Sequence, residues 1–305
     1  FGRGEYILDL IDGAENDGYM IVRGTGYLKN NPSTKRTIES IIGKRTFTQH
    51  VWLTNSEGTA WTATGHIWNG PFHTNGNLRI GGTPTFMGPV TYGGAIETTT
   101  SFGTVNPDYR MGLPRGGVRY DFPTSNSQLK DRAIANGHYY NGMTTIFLKD
   151  DKYDVHYFDF RTGAMEWKFE SNKPLPPNGV IYVNGFENAQ WDRRTGDLYV
   201  SGRLKGELTI ASANDIYITG YNPTNFDRNN LGPSTGGITY ADNSKDILGL
   251  IANRNIEILS NGWPSRNGPS NLNNRHPNIA NPAINNIKLY GAFFALNGSF
   301  KYNYD

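Results

Sequence analysis

The residues that could do chemistry in this 305-residue chain are few, and they start in one glycine-rich run, "GPFHTNGNLRIGGTPTFMGPVT" (70–91). Its His73 sits beside Thr74 and Asn75, and His66 comes shortly before it; His50, His138, His156 and His276 are scattered. A metal site needs three or four convergent ligands with further groups orienting the rings. Two imidazoles without a nearby carboxylate do not supply that. His73 therefore reads as a corner residue bonded to backbone, with Phe72, Leu78, Ile80, Phe86 and Val90 pointing inward as the filling of a coil. Polysaccharide cleavage would call for paired carboxylates. The acids here, Glu97, Glu187, Asp192, Asp197, Glu207, Asp215 and Glu257, are sparse. Asp192 and Asp197 flank an Arg-Thr-Gly turn in "WDRRTGDLY", and Asp159 repeats the design in "YFDFRTG". Turn formation accounts for acids so placed. Calcium loops need denser ligands, no glycine loop leads into a helix to cradle phosphate, and a chain without cysteine has neither disulfide nor thiolate site. The expectation is a non-enzymatic protein with no catalytic, metal or cofactor residues.

One binding constellation is basic and aromatic. Arg193, Arg194, Arg203 and Lys205 lie near Trp191 and Tyr199, with Lys29, Lys35 and Arg36 elsewhere. Arginine beside exposed aromatic rings is what single-strand stacking surfaces use. Against this stand 29 Lys and Arg facing 27 Asp and Glu, a net charge of +2 that leaves no footprint for duplex binding. DNA is thus the alternative partner, not the first.

The elements that must position these residues are strands. Gly and Asn punctuate a chain rich in Tyr, Ile, Val, Thr and Phe and poor in long-helix formers. "YILDLI" (6–11), "GYMIVRGTGYL" (18–28) and "RTIESII" (36–42) are strands parted by turn signals, with Gly24 and Gly26 marking a bulge or a close approach. From Gly65 the strands shorten to three to five residues, a grammar that suits a β-solenoid better than a sandwich. Residues 124–142 hold the best helix candidate. Ser125 or Ser127 caps it, Leu129, Ala133 and Ile134 share a face, and Gly137 follows the last turn. Residues 144–170 read as two or three strands. "IASANDIYIT" (210–219), "LIANRNIEIL" (250–259) and "FALNGSFKYN" (294–303) share a frame in which an Asn-containing corner precedes an alternating strand. Asn at repeated corners bonds backbone and tolerates left-handed geometry. The Asn- and Pro-rich loops at 220–246 and 260–286 carry Phe226 and Trp263, which want burial against something. The regions expected are a strand-rich 1–60, first coils at 61–97, a small mixed insertion at 98–170 and the main solenoid at 171–305.

No apolar run is long enough to span a bilayer. The chain opens on Phe1, and Tyr304 and Asp305 follow a strand-like run with no polar cap, which reads as a trimmed form whose export or anchoring segment lies upstream.

"WLTNSEGTAWTATGHIWNGPFHTNGNLRIGGTPTFMGPV", "NGVIYVNG", "GELTIASANDIYITG" and "LGLIANRNIEI" together resemble an uncharacterised bacterial pilin-like surface family with a β-solenoid, and the solenoid part of minor pilins of the ComZ type. The resemblance implies export, a β-solenoid, and a structural or adhesive role at the cell surface. It carries no catalytic residues over. The combined expectation is an all-β extracellular filament or pilus subunit. It would associate with itself or with other surface subunits through an added strand, Tyr6, Ile7, Leu8, Leu10 and Ile11.

Overall fold

A computed structural model describes residues 4–12, 19–43, 47–161, 165–187, 192–226, 236–243, 245–259 and 286–303. The chain divides into two compact units, Phe1–Asp121 and Phe122–Asp305. The boundary falls inside the segment read from sequence as an insertion. Strands dominate both units, so the all-β expectation holds.

Unit one opens with β1 (Gly4–Asp12), β2 (Tyr19–Leu28) and β3 (Asn31–Gly43), an antiparallel meander in that order. Register sorts its side chains onto two faces. One face carries cross-strand polar pairs: Tyr27 donates to Glu5 at 2.9 Å, Thr25 meets Thr37 at 3.0 Å, and Arg23 pairs with Glu39 at 2.7 Å. Ile7, Ile21 and Ile41 are interleaved with them. The other face carries Tyr6, Leu8, Leu10, Val22 and Ile38. Pairing runs unbroken through Gly24 and Gly26, and the irregularity lies between Tyr27 and Leu28 instead. The two glycines therefore make no bulge; they leave a trough in the apolar face.

Eight short strands follow: β4 (Trp52–Thr54), β5 (Ile67–Trp68), β6 (Phe72–Thr74), β7 (Leu78–Gly81), β8 (Thr85–Phe86), β9 (Val90–Tyr92), β10 (Ile96–Thr99) and β11 (Asp108–Tyr109). They form three parallel sheets, β4-β6-β9, β5-β8-β11 and β7-β10. The chain visits the three in rotation, so that His73 meets Thr91 eighteen residues on. Inward positions fill one core of Phe72, Leu78, Ile80, Phe86 and Val90, the five residues expected from sequence. Gly82 turns a corner with φ of 71°, where a Cβ would strike the Thr64 side chain.

Unit two begins with helix α1 (Ser127–Asn136); Asn126 holds the N-cap position without a side-chain capping bond, and the Ser125 hydroxyl oxygen accepts from Ser127 N–H at 3.0 Å, as expected of a capping serine. The Asn126 amide is committed elsewhere: it donates to the Ser212 carbonyl at 2.8 Å and accepts from the Tyr182 hydroxyl at 3.1 Å. Ala133 is buried, but Ile134 is exposed and does not share the packed face. Then come β12 (His138–Asn141), β13 (Thr144–Asp150), β14 (Lys152–Asp159), β15 (Glu166–Pro174), β16 (Val180–Asn184), β17 (Leu198–Leu204), β18 (Glu207–Ser212) and β19 (Ile216–Ile218). The last six are β20 (Gly237–Tyr240), β21 (Ile247–Ala252), β22 (Ile256–Leu259), β23 (Lys288–Leu289), β24 (Ala292–Ala295) and β25 (Phe300–Asn303). β12-β16-β18-β21-β24 is one parallel sheet. In the other, the antiparallel β13-β14-β15 meander continues in parallel through β17, β19, β22 and β25, with β20 and β23 alongside. Their shared core includes Ile146, Leu198, Ile210, Ile216, Leu250 and Ile256.

The repeated frame seen in sequence is the corner between these sheets. Asp197, Asp215 and Asn255 each precede a strand, and each side chain accepts from the next corner's backbone. Asp215 N–H donates to Asp197 Oδ1 (3.4 Å), Asn255 N–H to Asp215 Oδ1 (2.8 Å), and Ser299 N–H to Asn255 Oδ1 (3.1 Å). Phe293, not Phe294, stands opposite Leu250, so the third corner holds one residue more than the frame assumed.

Candidate functional site

The chemistry-bearing residues that converge lie in unit one. In β6 the alternation sends Phe72 inward and His73 to the opposite face of its sheet, where Leu53 and Thr91 flank it. That face is covered by the segment after β11. Arg115 first extends the sheet edge beside β9, bridging Thr91 in parallel with its N–H on the Val90 carbonyl; the chain beyond it then brings Tyr120 over His73 with ring centroids 4.1 Å apart. His73 is fully buried. It is not a corner residue, because a β-strand carries it and a covering segment seals it. His66 does not approach it; its ring packs against Trp68 and its Nδ1 accepts from Ala63 N–H. The imidazole that does is His50, at 6.3 Å, with its ring edge-on to Tyr120 at 5.4 Å.

Hydrogen bonding fixes the direction of the protons on His73 and its direct partners. Tyr120 N–H donates to Asn75 Oδ1 at 2.8 Å, and Asn75 Nδ2 donates to the Tyr120 carbonyl at 2.7 Å and to Asn55 Oδ1 at 3.0 Å. These backbone partners settle which end of the amide is oxygen. His73 Nε2, 2.9 Å from that oxygen, must therefore be the protonated nitrogen. Burial lowers the His73 pKa, opposed by the Asn75 bond, so the ring is neutral at pH 7. Its Nδ1 then accepts from the Thr91 hydroxyl at 2.7 Å. The result is an oriented Thr91–His73–Asn75 relay whose outer member, Thr91, is half-buried at a cleft of about 270 Å³. Gln49, His50, Pro71, Pro89, Arg115, Val118 and Tyr120 complete its walls.

Sequence reasoning singled out His73 but missed Thr91, Arg115, Tyr120 and His50 as its company. A signal was available. Gly-Pro-apolar occurs at 70–72 and again at 88–90, with Phe72 opposite Val90, so the prolines mark equivalent points on successive passes.

Among the described residues, the basic and aromatic candidates lie in different surroundings. Tyr199 is buried, stacked on Tyr217 at 4.9 Å, on the face of β17 opposite Leu198 and Val200, in a separate cluster with Met143 and Trp167. Arg194 is held by Asp192 (2.5 Å) and lies over Phe186, and Arg203 is held by Asp150 (2.7 Å) and lies over Phe226. Arg193 lies over the Phe158 ring, Lys205 is exposed, and Trp191 is outside the described residues. Phe226 packs on Phe147 and Tyr221, whereas Trp263 is outside the described residues.

Of the acids, Asp192 accepts from Arg194 N–H and Asp159 from Arg161 N–H, the turn role expected of them. Asp197 differs. It is buried, bonded by Thr195 Oγ1 at 2.7 Å and Asn214 Nδ2 at 2.6 Å, and burial pushes its pKa up to about 6. Among the described residues no three His, Asp or Glu side chains converge as metal ligands, and no helix is long and apolar enough to cross a membrane.

No curated protein and no solved structure matches the chain. One family model does, over residues 20–95, and it is described as a domain of unknown function (DUF4900). The match takes in β2, β3 and the strands that carry His73 and Thr91, and it says nothing of pilins.

Proposed function

We propose that the chain is a non-enzymatic structural subunit of a bacterial cell surface, pilin-like or filament-forming, built as a β-solenoid and joined to further copies through β1. The solenoid reading is supported by the rotation of successive short strands through parallel sheets and by the ladder of corner side chains. The observation that carries the assembly reading is the β1–β3 sheet. Tyr6, Leu8, Leu10 and Ile38 are 75%, 60%, 67% and 72% exposed, and among the described residues no strand pairs with the outer edge of β1 or β3. Three strands hold together in water only with an apolar face covered. A second copy added along the β1 edge makes six strands. By strand rise and spacing the joined sheet face is on the order of 800 Å², with Tyr6, Leu8, Leu10, Val22 and Ile38 of each copy on it beside Arg36 and Ser40.

Sedimentation across a concentration series, with electron microscopy of the most concentrated sample, tests this. Dimers and larger species are expected, and Leu8→Lys with Leu10→Lys should return the chain to a monomer with an unchanged circular dichroism spectrum. A strict monomer at every concentration, with no fibres, overturns it.

A further inference from the structure

We propose that the cleft at Thr91 binds one acidic sugar residue, a uronic acid of a polysaccharide, with its carboxylate on Arg115 and a ring hydroxyl donating to Thr91 Oγ1. The inference does not rest on the assembly reading.

The lining supplies each half of that recognition. Arg115 is the one cation among the eight lining residues, none of them is acidic, and among the described residues no carboxylate pairs with its guanidinium. A guanidinium left open in this way takes a carboxylate through two parallel N–H bonds. Thr91 adds polarity of a defined sign. Its proton is committed to His73 Nδ1 and His73 is itself committed to Asn75, so the hydroxyl meets a ligand only through its lone pairs. It selects a donor, and a sugar hydroxyl is one. Pro71, Pro89 and Tyr120 are flat or rigid walls against which the C–H face of a pyranose packs. The proline wall is fixed by close passes of the backbone: a Cβ on Gly88 would strike the carbonyl of Gly70. At about 270 Å³ the cleft is below drug-sized pockets and holds a single ring. With no carboxylate among the lining residues to act as acid or base, the cleft is built to hold a sugar rather than to cut one.

Ligand-observed saturation-transfer NMR on the full chain, which tolerates any assembly state, is the test. The probes are glucuronate and galacturonate, with glucose and galactose as neutral partners and acetate and inorganic phosphate as competitors. Uronates should receive saturation at their ring protons and bind at least about tenfold more tightly than the neutral hexoses, what a charge-assisted pair with the exposed Arg115 adds. Arg115→Gln should erase that preference. Thr91→Val should weaken uronate binding about tenfold with the preference kept, and Thr91→Ser should restore it, which a merely structural role for the methyl group would not. Equal binding of uronates and hexoses, uronate binding unchanged in Arg115→Gln, or displacement by acetate or phosphate at the uronate's own concentration each overturns the assignment. So does the absence of any saturation transfer.

Discussion

The β1–β3 sheet and the β16–β25 stack are built from the same residue types and settle in opposite ways. In the stack, parallel neighbours repeat a position coil after coil, so Ile210, Leu250 and their counterparts pile into a buried column, while Ile247 and Phe300 stay exposed outside it. In the meander, antiparallel register puts the polar pairs and three isoleucines on one face and Tyr6, Leu8, Leu10 and Ile38 on the other, and nothing in its own unit's described core claims that second, apolar face. Burial, not strand propensity, separates them. A column of buried side chains is stable by itself, whereas a two-faced sheet is stable only in company.

The widest gap between the regions should appear on placing a charge in each. Ile216 is fully buried in the column. Ile216→Asp strands an unpaired carboxylate there and removes a packed side chain, a cost of roughly 3–5 kcal/mol or more. Unit two should lose its cooperative thermal transition by circular dichroism. Leu8→Asp, on the 60% exposed Leu8, should leave that transition within about 0.5 kcal/mol and change only the sedimenting mass. Equal destabilisation by the two would mean that the meander is packed as firmly as the stack.

Much of this was legible in the residues. The five-residue filling around Phe72, the strand-rich start and the helix near 127 follow from alternation and turn chemistry. Repetition alone pointed to Asn at the corners, and Asn255 fills one; the Asp197 and Asp215 members of the same ladder did not follow from it. What sequence could not give was which side chains face each other across coils. His73 and Thr91 are neighbours only because the pass length brings them into register, and Tyr120 reaches them from a segment with no periodic pattern. Tyr199 misled for the same reason. Beside arginines in sequence it suggests a surface, but Met143, Tyr217 and Trp167 cover its ring, contacts that no local pattern announces. Ile134 failed through one helical step: with Ala133 against β16, the next residue turns to solvent.

The stack keeps one costly member, and removing it should sharpen the contrast. Asp197 has a folded pKa of about 6 against an ordinary 3.8, so the folded state binds the proton more tightly. Stability from this group is therefore greatest below pH 4 and declines as pH rises to 6, by about 3 kcal/mol in all. Asp197→Asn keeps an acceptor for the Asp215 N–H and cannot ionise. Chemical denaturation between pH 4 and pH 7 should show a falling stability in the wild type and a nearly flat one in the variant. A parallel fall in both would place the titration elsewhere.

The smallest effect belongs to the meander's polar face. Arg23 and Glu39 pair at 2.7 Å, but both side chains are about half exposed, at 43% and 51%. Water screens such a pair, and holding two long side chains in one geometry costs entropy, so it is worth less than about 1 kcal/mol. Glu39→Gln should shift the midpoint of unfolding within that limit, and less still at high salt. The comparison predicts a sharper result under conditions of assembly. If copies join along β1 and stack by their apolar faces, this polar face stays in water, and Glu39→Gln leaves the sedimenting mass unchanged where Leu8→Asp does not. A dimer that dissociates on Glu39→Gln would instead put the contact on the polar face, and the apolar trough over Gly24 and Gly26 would need another occupant.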